Sequence, residues 1–111
     1  MTEHYDDLET RAPEARERAH FAVLPSLIHH AKERAPGFAA LLKTVDPDSV
    51  TDRAALAKLP VLRKGELIER QKSSLPFGGC TATSTGDLLR VFASPGPIYD
   101  PEGKRSDYWR L

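Results

Sequence analysis

The stretch Phe92-Ala-Ser-Pro-Gly-Pro-Ile-Tyr-Asp-Pro-Glu-Gly103 decides how this sequence is interpreted. It follows a short apolar run, residues 88–93, which we predict to be a β-strand, and it precedes residues 104–111, which we predict to be helical. A loop between a strand and a helix often binds phosphate, because backbone N–H groups and the helix N-terminus converge there. The stretch is therefore either a phosphate loop or a proline-rich connector.

The composition of the loop favours the connector. The Walker pattern G-x-x-x-x-G-K-[ST] is absent from the sequence. Pro95, Pro97 and Pro101 have no N–H to donate to a phosphate, and Asp100 and Glu102 add negative charge.

Two basic residues follow the loop. Lys104 and Arg105 would offset the negative charge only if they folded back over the loop. On the residues alone, both interpretations of the stretch stay open.

Length and charge exclude several classes of protein. The chain has 111 residues, enough for one small domain, and its 16 basic and 16 acidic residues cancel. We therefore predict neither a nucleic-acid partner nor an anionic membrane surface. No apolar run approaches the roughly 20 residues that span a bilayer, and the N-terminus is acidic, unlike a signal peptide. Cys80 is the only cysteine, which excludes an internal disulfide and predicts a cytoplasmic location.

Residues 13–72 are predicted to be mainly helical. Pro13 followed by Glu14 is typical of a helix start, and Pro25 is expected to kink or restart that helix before Pro36 ends it. Two short helices are predicted at residues 37–42 and 51–56, the second capped by Thr51, and a longer one at 63–72.

The remaining chain is predicted as a loop and then a strand, a loop and a helix. Residues 73–87 are rich in Ser, Thr, Gly and Pro and form the first loop, and residues 88–111 form the strand, loop and helix. A single strong strand cannot satisfy its backbone groups alone, so we expect its sheet neighbours to be missing. The predicted class is a mainly α fragment with one or two short strands. The chain is expected to be incomplete because it stops within an apparent helix.

Other reactive side chains are better explained as structural. The spacing of His20, His29 and His30 does not suit a helical metal site, which favours intervals of three or four residues. Cys80 has no base near it in sequence and is expected to be an inert thiol. Arg63 and Lys64 could meet an anion, although a solvated helix start is the favoured interpretation.

Several segments taken together resemble the N-terminal portion of the phenylacetate–coenzyme A ligases, within the superfamily of adenylate-forming (AMP-dependent) synthetases and ligases. The order and spacing of these segments carry the resemblance, which extends from about Tyr5 to the last residue. The segments are Tyr5-Asp-Asp-Leu-Glu-Thr-Arg11, His30-Ala-Lys-Glu-Arg-Ala-Pro-Gly-Phe38, Leu59-Pro-Val-Leu-Arg-Lys-Gly-Glu-Leu67, Pro76-Phe-Gly78 and Arg90-Val-Phe-Ala-Ser-Pro-Gly96.

The resemblance implies the N-terminal piece of a large α/β domain, with residues 1–111 as an incomplete synthetase/ligase domain. Members of the family use ATP and Mg²⁺ to convert a carboxylic acid to an acyl-adenylate, and then transfer the acyl group to coenzyme A. The implied substrate is a small aromatic acid.

The resemblance also places the proline-rich stretch where the family carries its phosphate loop, typically Ser-Ser-Gly-Thr-Thr-Gly-x-Pro. Ser94 and Gly96 match that pattern, and Pro101 matches its closing proline. Residues 97–99 replace the paired threonines and depart from it. Ser94 and Gly96 are therefore the predicted nucleotide-binding positions, at a degenerate phosphate loop.

We expect no catalysis by these 111 residues alone, because the family's adenine contacts, acyl pocket, Mg²⁺-linked acid and catalytic lysine all lie after this loop. No catalytic or metal-binding residue is therefore predicted. A small helical binding or scaffolding module, or a truncated gene product without function, remains an alternative. Sequencing the DNA beyond codon 111 distinguishes these possibilities, since a ligase fragment predicts that the adenylation motifs follow.

Overall fold

The computed structural model describes residues 3–104. Four α-helices occur in this part of the chain, followed by two β-strands. The helices are α1 (Pro13–Arg34), α2 (Pro36–Leu41), α3 (Arg53–Leu56) and α4 (Lys64–Ser73), and the strands are β1 (Arg90–Ser94) and β2 (Ile98–Glu102). Two short 3₁₀ turns lie at Pro47–Ser49 and Thr85–Asp87.

The chain divides into two compact units. The first unit comprises the chain up to His29 and Val45–Leu59. The second comprises His30–Thr44 and the chain from Pro60 onwards. Val50 and Ile28 are buried in the first unit. The second unit buries a larger set of side chains, which are Ala35, Leu42, Gln71, Phe77, Ile98 and Glu102.

Helix α1 begins at Pro13, as predicted, with Glu14 in its first turn and Lys32 and Arg34 in its last. Both charge placements favour the helix dipole. The helix continues through Pro25, so the predicted restart at that residue does not occur. The prediction that Pro36 separates α1 from a second short helix is confirmed.

The ends of α3 and α4 differ slightly from the prediction. The cap of α3 is Asp52 and not Thr51, because the Asp52 carboxylate accepts a 2.8 Å hydrogen bond from the Ala55 N–H. Helix α4 begins at Lys64, where the Arg63 N–H donates to the Glu66 carboxylate over 3.1 Å.

Strands β1 and β2 form an antiparallel two-stranded sheet whose register pairs Arg90 with Glu102 and Ser94 with Ile98. The expectation that the strand lacks a neighbour is therefore wrong. The partner strand was missed because it contains Pro101 and Asp100, residue types that are depleted in strands. The predicted helix after residue 104 lies outside the described residues.

The loop before β1 packs closely against the rest of its unit. Phe77 within this loop is buried. The Gly37 N–H of α2 donates a 2.7 Å hydrogen bond to the Gly79 carbonyl. This contact fixes the loop to helix α2 at a distance that leaves no room for a side chain at Gly37.

Candidate functional site

The predicted phosphate-loop residues lie at the tip of the β-hairpin. Ser94 ends β1, Ile98 begins β2, and Pro95, Gly96 and Pro97 connect them. Gly96 has φ = +138°, a backbone conformation that residues with a Cβ rarely adopt. The Ser94 Oγ lies 3.5 Å from the Ile98 carbonyl oxygen, across the base of the turn. The two predicted residues are therefore close together, in a tight turn that requires its glycine.

The turn offers few donors to an anion. Pro95 and Pro97 have no N–H, so Gly96 carries the only backbone N–H between the strand ends. A phosphate cradle depends on several convergent N–H groups. The backbone of this turn therefore cannot form such a cradle unaided, in agreement with its departure from the family pattern.

A cation from another element reaches the turn. The Lys64 Nζ, at the first residue of α4, donates a 3.0 Å hydrogen bond to the Pro95 carbonyl. The position that a Cβ would take on Gly96 lies 3.6 Å from the Lys64 Cε and 4.0 Å from its Nζ. Lys64 therefore lies beside the glycine of the turn. Sequence reasoning missed this contact because 31 residues separate Lys64 from Pro95.

Lys104, which would offset the negative charge of the loop only by folding back over it, does not fold back. The Lys104 Nζ pairs with the Asp87 carboxylate at 2.9 Å, at the end of the hairpin away from the turn. The Asp87 pKa is lowered by its hydrogen bonds from Ser84 and Lys104. Arg105 lies outside the described residues. Lys64, and not Lys104, is thus the lysine that lies beside the turn.

One acid of the predicted loop is neutralised within the hairpin. Glu102 is fully buried, and its carboxylate accepts hydrogen bonds from the Arg90 guanidinium, at 2.5 Å from Nε and 3.0 Å from Nη2. The pairing raises the pKa of Arg90 above its ordinary value. The negative charge of Glu102 is therefore compensated, at the end of β2 opposite the turn.

A side chain of α4 holds the outer edge of β2. The Gln71 amide nitrogen donates to the Tyr99 carbonyl over 2.9 Å, and the Gln71 amide oxygen accepts from the Tyr99 N–H over 3.0 Å. The primary amide thus supplies the donor and acceptor that a further strand would have supplied. This pair of bonds fixes α4, and with it Lys64, relative to the hairpin.

Cys80 lies in the wall of a cleft of about 350 Å³ that Phe38, Leu67, Phe77 and Tyr99 help to line. Burial raises the pKa of the Cys80 thiol, and the positive charge of Arg70 opposes that shift only in part. A raised pKa leaves less thiolate at neutral pH, and the thiolate is the reactive form. The geometry supports the prediction of an inert thiol.

The pH dependence of alkylation tests this description of Cys80. Since its pKa is raised, we expect the iodoacetamide rate to reach its midpoint at a higher pH than that of a small free thiol. Arg70→Met should move the midpoint further upward, because it removes the charge that stabilises the thiolate, whereas Lys72→Met on the same helix should leave it in place. Alkylation is followed by mass spectrometry. A midpoint at a lower pH than that of the free thiol would contradict the raised pKa of Cys80.

The histidines do not converge. The His29 Nε2 lies 3.0 Å from an Asp48 carboxylate oxygen, and the His20 Nε2 lies 3.3 Å from the Arg11 guanidinium. Within residues 3–104, no three His, Cys, Asp or Glu side chains are arranged to hold a metal ion.

The same residues include no helix long and apolar enough to cross a bilayer.

Comparison with known proteins identifies the fold. No family model and no curated protein sequence matches the chain. Its structure is similar to the crystal structure of 2-hydroxyisobutyryl-CoA ligase in the postadenylation state in complex with 2-HIB-AMP, with a TM-score of 0.77 and 19% sequence identity. The match covers 94% of this chain and 24% of that chain, so the protein spans about a quarter of the length of the ligase. The predicted fold class, mainly α with one or two short strands, is confirmed, and the fold is similar to a piece of that ligase.

Proposed function

We propose that residues 1–111 are part of the large domain of an ATP-dependent acid–coenzyme A ligase, similar to the phenylacetate–CoA ligases. The observation that carries the proposal is the similarity of 94% of the chain to part of a solved acyl-CoA ligase, at a TM-score of 0.77. The order of sequence segments that resembles the phenylacetate–CoA ligases supports the same superfamily independently. In the complete enzyme, the acid would become an acyl-adenylate and then a thioester.

The chain covers a part of such an enzyme that is too small for the whole reaction. The match includes 24% of the solved ligase. Adenylation requires in-line attack on the α-phosphate, neutralisation of phosphate charge and a shielded site. A single hairpin turn supplies at most one contact to a phosphate, so we assign the turn a binding role and the described residues no catalytic role.

The three cofactors of the reaction fit the described residues to different extents. ATP would meet the Ser94 hydroxyl, the Gly96 N–H and the nearby Lys64 ammonium, a partial set of donors for a phosphate. Mg²⁺ needs oxygen ligands that are grouped together, and residues 3–104 present no such group. We propose that Mg²⁺ and coenzyme A are bound by the rest of the enzyme.

A calorimetric titration with ATP and Mg²⁺ tests the nucleotide role of the turn. We expect weak saturable binding by the purified chain, and its loss in Ser94→Ala and Gly96→Val. Ser94→Ala removes a hydroxyl, whereas Gly96→Val forces a side chain onto a φ of +138° and displaces the turn. Gly86→Val is the matched control, because a Cβ at Gly86 has no neighbour within 4 Å.

The outcomes are distinct. Binding that both loop variants lose and Gly86→Val keeps would support a phosphate site at the turn. Absence of saturable binding at millimolar nucleotide would contradict it and leave the turn as a connector. Thermal melts of the variants show whether Gly96→Val has unfolded the hairpin, in which case Ser94→Ala alone carries the comparison.

The proposed acid–coenzyme A ligase activity is tested on the full-length protein encoded by the transcript that contains these codons. We expect acid-dependent release of AMP from ATP, with thioester formation when coenzyme A is added. The rates of AMP release with phenylacetate, benzoate and 2-hydroxyisobutyrate are then compared. We propose that the substrate is an aromatic acid, so the first two should be preferred. The predicted cytoplasmic location would be checked on the same product by fractionation.

A further inference from the structure

We propose that Lys64 is the phosphate-binding cation of the hairpin turn and replaces the N–H donors that Pro95 and Pro97 lack. The inference rests on the proposed function, because it names a residue for the phosphate contact of that same site. Lys64 lies 31 residues before the turn in sequence, on a different element, and is distinct from the positions that the resemblance assigns, Ser94 and Gly96.

The geometry gives Lys64 a fixed position with free donor capacity. An ammonium has three N–H donors, and the Pro95 carbonyl accepts one of them over 3.0 Å. The bond holds the ammonium beside Gly96. A Cβ placed on Gly96 would lie 4.0 Å from the Lys64 Nζ. The other two donors of the exposed ammonium are available to an anion at the tip of the hairpin.

The Lys64 ammonium has no carboxylate partner. Among residues 3–104, Lys72 pairs with Glu69 and Lys104 with Asp87, whereas Lys64 forms no ion pair. The Lys64 ammonium bonds a neutral carbonyl instead. Lys64 also occupies the first position of α4, where the helix dipole disfavours a positive charge. An anion at the turn would relieve both effects.

Two further features support the arrangement. The Gln71 amide bonds the Tyr99 backbone from the same helix, which keeps α4 and the hairpin in register. Of the two acids of the stretch, Glu102 is buried and paired with Arg90 at the end of the hairpin away from the turn, whereas Asp100 is half-buried in the middle of β2. Lys64 is the cation that lies beside the turn itself.

The test compares three substitutions of Lys64 in the 111-residue chain. Lys64→Met removes the charge and the donors, Lys64→Gln keeps neutral donors, and Lys64→Arg keeps both. Lys72→Met is the matched control, since it removes a cation from the same helix. Each protein is titrated with ATP and Mg²⁺, with inorganic tripolyphosphate and with adenosine, at about 50 mM and about 200 mM salt.

We expect Lys64→Met and Lys64→Gln to weaken the binding of ATP and of tripolyphosphate by about tenfold at low salt, and to reduce the salt dependence. Lys64→Arg and Lys72→Met should bind like the unaltered chain, and adenosine should respond to none of the substitutions. If Lys64 had a purely structural role, its variants would lower the melting temperature whether or not they kept the positive charge. Binding that Lys64→Arg retains and Lys64→Gln loses therefore identifies an ionic contact.

Failure of the inference and failure of the proposed function give different results. If the unaltered chain binds ATP and tripolyphosphate and Lys64→Met binds them equally well, Lys64 is not the phosphate cation, while the site at the turn stands. If the unaltered chain binds neither compound, the turn of this chain is not a phosphate site. The role of Lys64 and the nucleotide role of the turn are then both overturned.

Discussion

Replacing Gly37 with alanine is expected to destabilise the second compact unit by about 2–3 kcal/mol, the cost of forcing a methyl group into a filled space. A Cβ on Gly37 would lie 2.7 Å from the Gly78 carbonyl oxygen and 2.9 Å from the carbonyl carbon and oxygen of Gly79. These are backbone atoms and cannot rotate away. The loop that carries Phe77 would have to move off α2 and break the 2.7 Å hydrogen bond from Gly37 to Gly79.

The matched control for Gly37→Ala is Gly65→Ala. Both glycines lie within helices, but a Cβ at Gly65 has no neighbour within 4 Å. Because alanine is the better helix former, Gly65→Ala should stabilise by about 0.5–1 kcal/mol. Chemical denaturation followed by circular dichroism measures both variants. Equal midpoints for Gly37→Ala and the unaltered chain would show that the loop is not packed against α2 as described.

Replacing Gln71 with leucine is expected to cost about 3 kcal/mol, because it leaves two backbone groups without their hydrogen-bond partners. Leucine is close to glutamine in volume, so the substitution tests the two hydrogen bonds more than the packing. The Tyr99 N–H and carbonyl would each lose a bond, of 3.0 Å and 2.9 Å respectively. We expect the loss in thermal stability to be accompanied by faster hydrogen exchange at Tyr99.

The control for Gln71→Leu is the same change at the exposed neighbour, Lys72→Leu. Lys72 forms only a surface ion pair with Glu69, and such pairs contribute about 0–1 kcal/mol. Hydrogen exchange by NMR reports both variants at residue level. If Tyr99 remains as well protected in Gln71→Leu as in Lys72→Leu, the amide of Gln71 does not hold the edge of β2.

The helical part of the fold could be predicted because its signals are local. Pro13 with Glu14 predicts the start of α1, and Pro36 separates α1 from α2, since proline has no N–H and is best accommodated in the first turn of a helix. Pro25, which the structure places inside α1, shows that this preference can be overridden. The cap of α3 was predicted one residue too early, because Thr51 and Asp52 are both good caps and only the hydrogen bond to Ala55 distinguishes them.

Strand β2 could not be predicted from its own residues. Ile98–Glu102 contains a proline and two acids, and these types disfavour a strand. Long-range contacts offset that preference: the Gln71 amide satisfies the outer edge at Tyr99, and Arg90 neutralises the buried Glu102. Both partners lie far away in sequence, so no window of local residues contains the signal.

The sequence by itself determined the helices, the position of the glycine turn at Ser94 and Gly96, and the resemblance to an adenylate-forming ligase, because each depends on neighbouring residues or on their order. Only the tertiary structure decided what surrounds the turn. It brought Lys64 to the Pro95 carbonyl and directed Lys104 to Asp87. The physical reason is that charge acts through space, and folding sets the distance between two charges without regard to their separation along the chain.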